Sequence, residues 1–159
     1  MASPLLPSGL EVPSHLSFVP EIRRFVSRVA RHMGFADRDV AQIEMAVAEV
    51  CQNIIEHGYK TGSTETVRGR PLRDIILHVT PHPDRLEVLI LDRAAFNFPA
   101  DEKKVINLEE VFMTQRGLGR PIIHLFMDTV EHRFIEGRGN ELRLVKHLRL
   151  NGQPSTIDR

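Results

Sequence analysis

Apolar positions recur along the chain with two different periods, and the change from one to the other divides it. Between Pro20 and Gly34, Ile22, Val26, Val29 and Met33 fall at helical spacing and build one apolar face. Pro20 suits the first turn of a helix and Gly34 the position just past its end, so a first helix is predicted there. A second begins around Asp37 or Asp39, where Asp39 and Gln42 are placed to form a capping box, and runs to about His57, stopping at Gly58. From Asp74 the period becomes that of strands: residues 75–79 and 86–91 are predicted strands joined by the turn Pro81-His82-Pro83-Asp84. Residues 98–119 hold no clean strand, with room for a helical turn or two over 106–112. A helix follows Gly119 through Ile122, Ile123, Phe126 and Met127. Two last strands, 129–135 and 141–148, flank the predicted hairpin turn Gly137-Arg138-Gly139-Asn140. Pro4, Pro7 and Pro13, set among Leu5, Leu6, Leu10 and Val12, mark the N-terminal stretch as an extended arm or edge strand, because proline removes ladder donors. The last nine residues are polar and expected to fray. Antiparallel hairpins with helices on one face predict an α+β fold, a two-layer α/β sandwich with a mostly antiparallel mixed sheet. The expectation is a single domain over residues 1–159 with a core at about 9–149.

Composition narrows the partners. The chain has 159 residues with 21 Lys+Arg against 21 Asp+Glu, so no net charge draws it to nucleic acid or to an anionic membrane. No apolar run approaches the ~20 residues that span a bilayer, and residues 1–10 lack the basic and apolar regions of a secretory signal. Cys51 is the single cysteine, which excludes an intramolecular disulfide and fits a cytoplasmic protein.

Three places carry candidate chemistry. On the second helix Ile43, Val47, Val50 and Ile54 form a core stripe, and Ala46, Glu49, Asn53 and His57 the adjacent one. Glu49 and Asn53, one turn apart, therefore project together beside a buried face, where an amide oxygen and a carboxylate can serve a metal–phosphate site. On spacing alone an ordinary solvated helix edge fits better. Arg116-Gly117-Leu118-Gly119-Arg120-Pro121 stands directly before a helix, where glycines allow close approach and free N–H groups meet an anion. A tight loop-to-helix turn explains the same residues. Asp92 closes the apolar strand 86–91 and can accept a hydrogen bond from a base amine in an apolar pocket, or cap the next turn. His78 and His82 lack metal-ligand spacing, and Cys51 reads as buried filler.

The order of these signals, Glu-x3-Asn on a helix, Asp at a strand end, then Gly-x-Gly at a helix start, resembles the GHKL (Bergerat-type) ATP-binding superfamily. Within it the chain is most similar to the anti-sigma-factor serine/threonine protein kinases of bacterial stress and sporulation circuits. Residues 43–59 resemble the family's N box, Gly117-Leu118-Gly119 through Phe126-Met127-Asp128 its glycine motif, and residues 139–146 its last strand. The resemblance implies a kinase that moves the γ-phosphate of ATP to a serine of an anti-anti-sigma (STAS-type) antagonist and otherwise binds a sigma factor, with dimerisation a habit of the family. It implies that Asn53 binds Mg²⁺, Glu49 orients or deprotonates the attacking hydroxyl, and Asp92 accepts the adenine amine. Gly117, Leu118 and Gly119 would meet the phosphates, Arg116 would neutralise the leaving charge, and residues 100–116 would form a short lid.

Two positions depart from the pattern. Where the family has Asp-x-Gly this chain has Asp92-Arg93-Ala94, and a methyl at Ala94 crowds the base. Where the last strand opens Gly-Thr in the family, Asn140 stands, which still hydrogen-bonds. Glu49 favours an enzyme; Ala94 favours a non-catalytic GHKL-like binding module that makes little or no use of ATP.

Overall fold

The computed structural model describes residues 5–58, 66–67, 70–71, 74–92, 119–135 and 138–149. The first helical stripe becomes α1 (Val19–Met33), with Pro20 in its first turn and Gly34 capping its end at φ 90°. That left-handed conformation costs a glycine little, and it lets the Gly34 N–H reach the carbonyls of Ala30 and Arg31. The second stripe becomes α2 (Asp37–Asn53), after which a π-helical turn, Ile54–Gly58, completes the run expected to reach His57. Its wider i→i+5 spacing breaks the 3.6-residue register, so the stripe read through Asn53 to His57 does not continue past Asn53.

The expected capping box at the start of α2 is corrected. The N-cap is Ala36, which has no side-chain oxygen to offer, and Asp37 and Asp39 both lie inside the first turn. There their charges meet the positive end of the helix. Gln42 points inward instead, and its Oε1 accepts a hydrogen bond from Lys146 at 2.9 Å.

The strands are β1 (Ser8–Pro13), β2 (Thr66–Val67), β3 (Arg70–Pro71), β4 (Asp74–Pro81), β5 (Arg85–Asp92), β6 (Thr129–Ile135) and β7 (Gly139–His147). Five of them make one sheet in the order β1-β4-β5-β7-β6, and every pairing in it is antiparallel. The N-terminal arm is thus an edge strand, as its prolines suggested. β2 and β3 form a separate small hairpin that the sequence reading did not identify. The β6–β7 turn is also shifted. Gly139 pairs with Ile135 and already belongs to β7, at φ 99°, so Asn140, expected in the turn, is a strand residue opposite both Phe134 and Asp92.

Alternation along the strands sends Ile75, Leu77, Val79, Leu86, Val88, Ile90, Leu142 and Leu144 to one face, where each is 5% exposed or less. α1, α2 and α3 (Gly119–Phe126) cover that face, α2 lying against both of the others, and Ile43, Val47, Val50 and Ile54 of α2 are fully buried. The opposite face is polar at its centre. Arg143 bridges Glu87 (3.0 Å) and Glu131 (3.1 Å), and its hydrogen bond holds the Glu87 carboxyl below the usual range. Among the described residues no helix is long and apolar enough to cross a membrane.

Candidate functional site

α2 delivers Glu49 and Asn53 to a half-buried flank one turn apart, as their spacing required. Burial raises the Glu49 carboxyl above its ordinary value; the charge of Glu56 raises it further and Arg23 of α1 opposes both. A carboxylate whose charged form is disfavoured is a stronger base at neutral pH. Asn53 is the last α-helical residue before the π turn, a distortion that often marks working sites.

Asp92 ends β5 on the face covered by helices and is 3% exposed. A buried carboxylate needs donors. One is Asn140, itself 2% exposed and its register partner in β7, whose Nδ2 donates to Asp92 Oδ1 at 3.3 Å. The next link is His132 of β6, whose Nε2 lies 2.8 Å from Asn140 Oδ1. Across the layer, Cys51 of α2 is fully buried, and its thiol is pushed up to about 12, by desolvation first and by the Asp92 charge second. The Asp92 end of β5 therefore lies beneath the half of α2 that carries Glu49 and Asn53. The same shift leaves Cys51 unreactive, in keeping with its reading as buried filler.

α3 is described from Gly119, the second glycine of the motif. Ala94, Arg116, Gly117, Leu118 and the lid at 100–116 lie outside the described residues, as does the His57 side chain. Among the described residues no group of three or more His, Cys, Asp or Glu is arranged to hold a metal. Asn53 and Glu49 offer hard oxygen atoms instead. Such a set suits Mg²⁺, which keeps several waters and takes its other ligands from substrate phosphates. The residue that the sequence reading missed is His132. Strand alternation put it on the covered face, but its link to Asn140 depends on which strands pair and in what register.

A family profile described as "Histidine kinase-like ATPase domain" matches residues 12–146, a span that holds Glu49, Asn53, Asp92, His132 and Asn140. The chain belongs to that family, and the GHKL-type α+β fold expected from its motifs is the fold found. Its relatives include a Serine-protein kinase RsbW of Bacillus mycoides (strain KBAB4), 30% identical over 133 residues, covering 80% of this chain and 78% of the relative. Another Serine-protein kinase RsbW, from Halalkalibacterium halodurans, is 28% identical over 158 residues, covering 94% of this chain and 88% of its own. The crystal structure of the RsbU and RsbW domains of Rv1364c from Mycobacterium tuberculosis superposes with a TM-score of 0.59 at 16% identity. That match covers 91% of this chain and 32% of the other, so this chain spans about a third of it, and the likeness bears on the fold alone.

Proposed function

We propose that this chain is an anti-sigma factor with ATP-dependent serine/threonine protein kinase activity. It would phosphorylate an anti-anti-sigma antagonist of the STAS type and alternate between that partner and a sigma factor, in the bacterial cytoplasm. We read residues 1–159 as one such domain, able to pair as a homodimer. The observation that carries the reading is the buried Asp92 carboxylate at the end of β5, held by Asn140, beneath the part of α2 that bears Glu49 and Asn53. A buried acceptor of this kind matches the exocyclic amine of adenine.

Asn53 would hold Mg²⁺ through its amide oxygen, and the ion, when bound, offsets phosphate charge. Glu49 takes or orients the proton of the attacking serine hydroxyl, which its raised pKa favours. The N-terminus of α3 with Gly119, preceded by Gly117, Leu118 and Arg116, receives the phosphates. Phosphoryl transfer depends mainly on positioning and charge, so this small set suffices. A second reading, a non-catalytic binding module, is favoured by Ala94, which stands where the resemblance expects glycine.

Thermal unfolding with and without Mg·ATP separates the two. Ligand at 100 times its Kd adds about 2.7 kcal/mol, a rise in Tm of roughly 5–10 °C for a domain of this size. Asn53→Ala is expected to lose the Mg²⁺-dependent part of that rise. Radiolabel passing from [γ-³²P]ATP to a STAS-domain protein then supports the kinase. A Tm unmoved at millimolar nucleotide supports the binding module.

A further inference from the structure

We infer that His132 is a positioning residue for base recognition, fixing the Asn140 amide so that Asp92 is presented in one geometry to the amino group of a purine. This rests on the nucleotide-binding reading above and adds a residue to it.

A carboxamide can lie in its site in two orientations, with oxygen and nitrogen exchanged at almost the same positions. The groups on either side decide between them. An ionised Asp92 only accepts, so the Asn140 Nδ2 must face it, across the 3.3 Å contact. Asn140 Oδ1 is thereby turned toward β6, where it meets His132 Nε2 at 2.8 Å. Since Oδ1 only accepts, Nε2 must carry a hydrogen. The ring's tautomer is thus dictated outward from Asp92, and in return the ring holds the amide. Turned over, the amide would set its oxygen against the Asp92 carboxylate, two acceptors in contact.

The sheet supplies the reach. Asn140 is paired directly with Asp92 on one side and with Phe134 on the other, while His132 is paired with Leu142. His132 therefore reaches Asn140 along the diagonal of the β6–β7 ladder, a distance that long side chains span. Asn140 and Asp92 are 2% and 3% exposed, whereas His132 is half-buried. The bond uses Nε2–H, which both this neutral tautomer and the imidazolium possess, so protonating the ring leaves it intact.

The test compares Mg·ATP with Mg·ITP, which carries an oxo group where ATP has the amine, on the whole chain as wild type, His132→Leu and His132→Gln. Wild type is expected to prefer ATP. His132→Leu should weaken ATP by about three- to tenfold, the worth of one neutral hydrogen bond, and leave ITP nearly unchanged. His132→Gln, which returns an N–H donor at similar reach, should recover most of the preference. A folded His132→Leu with the wild-type ratio overturns the inference, as does a proportional loss of both nucleotides, which marks a merely structural role. ¹⁵N spectra of the free protein test the bond without any nucleotide, and a neutral Nδ1–H tautomer at His132 overturns the inference alone. Wild type that binds both nucleotides equally, or neither, overturns the reading of Asp92 as an adenine acceptor and this inference with it.

Discussion

Glu49 is harder to ionise than a free carboxylate because it is half-buried and the charge of Glu56, seven residues further on, adds to that, with Arg23 only partly offsetting them. If it serves as the base, activity requires its ionised form. The acidic limb of the kinase pH profile should then fall above 4.5, the ordinary value, and Glu49→Gln should lose transfer by ~10²-fold or more while retaining Mg·ATP binding. The stability effect has the opposite sense. A carboxyl whose pKa is raised by folding contributes most below its ordinary value, and that contribution is lost as pH rises through the raised one. Glu49→Gln is therefore expected to be no less stable than wild type at neutral pH, measured by urea titration; a clear loss of stability would make Glu49 a structural residue. The helical period alone places Glu49 and Asn53 together. It carries no sign of the raised pKa, since the first cause, burial, follows from how the elements pack. Asn140 illustrates the converse: its local sequence suggested a turn while the resemblance put it at the opening of the last strand, and the pairing of Gly139 with Ile135 decides for the strand.

Among the elements, α2 is held at two places by unlike means. Its C-terminal half packs on the sheet through Val47, Val50, Cys51 and Ile54, and its first turns are tied to β7 by Lys146. Lys146 is 3% exposed and donates to Gln42 Oε1 and, at 2.6 Å, to the Phe126 carbonyl at the end of α3, with Asp39 4.0 Å away. Desolvation lowers its pKa, Asp128 and Asp39 acting against that. The unfolded chain thus holds this proton more tightly, and the lysine's contribution to stability grows as pH rises toward its ordinary 10.5. Lys146→Met removes both the slope and the donor, and is expected to cost about 1–3 kcal/mol at pH 7 from the acceptors left behind. Cys51, raised from 9.0 to about 12, destabilises the fold as pH rises over that range, so the slope is read as the difference between wild type and Lys146→Met, in which the Cys51 effect cancels. Undiminished stability in Lys146→Met would mean that water replaces the ammonium. This tie also explains why the sequence misplaced the cap of α2: the partner that claims Gln42 lies 104 residues away. Strands of two residues, such as β2 and β3, are too short to display a period at all.

Over the whole molecule, the two-layer α+β arrangement was legible because both periods are strong and the order of elements leaves the helices one face to cover. The strand order was not, since nothing local tells residues 8–13 to pair with β4. That order ranks the strands. Among the described strands β4, β5 and β7 are bonded on both sides, with β5 at the centre, whereas β1 and β6 are edges. Amide hydrogen exchange should be slowest in β5, intermediate in β4 and β7, and fastest in β1, whose amides open without disturbing the centre. Protection in β1 equal to that in β5 would show its free edge covered in solution.

Asp92 and Asn140 meet because two strands from distant parts of the chain run in register, and in a strand each residue faces opposite to the next. Length is therefore as constrained as composition here. One residue inserted within β5 or β7 would turn every side chain beyond it through the sheet and carry Asp92 or Asn140 to the polar face. The turn at residues 82–84 carries no such penalty, because it connects β4 to β5 outside the ladder. Chimaeras joining this chain to its relatives should take their crossover points from turns like that one, and grafts of β5 or β7 should be made as whole strands.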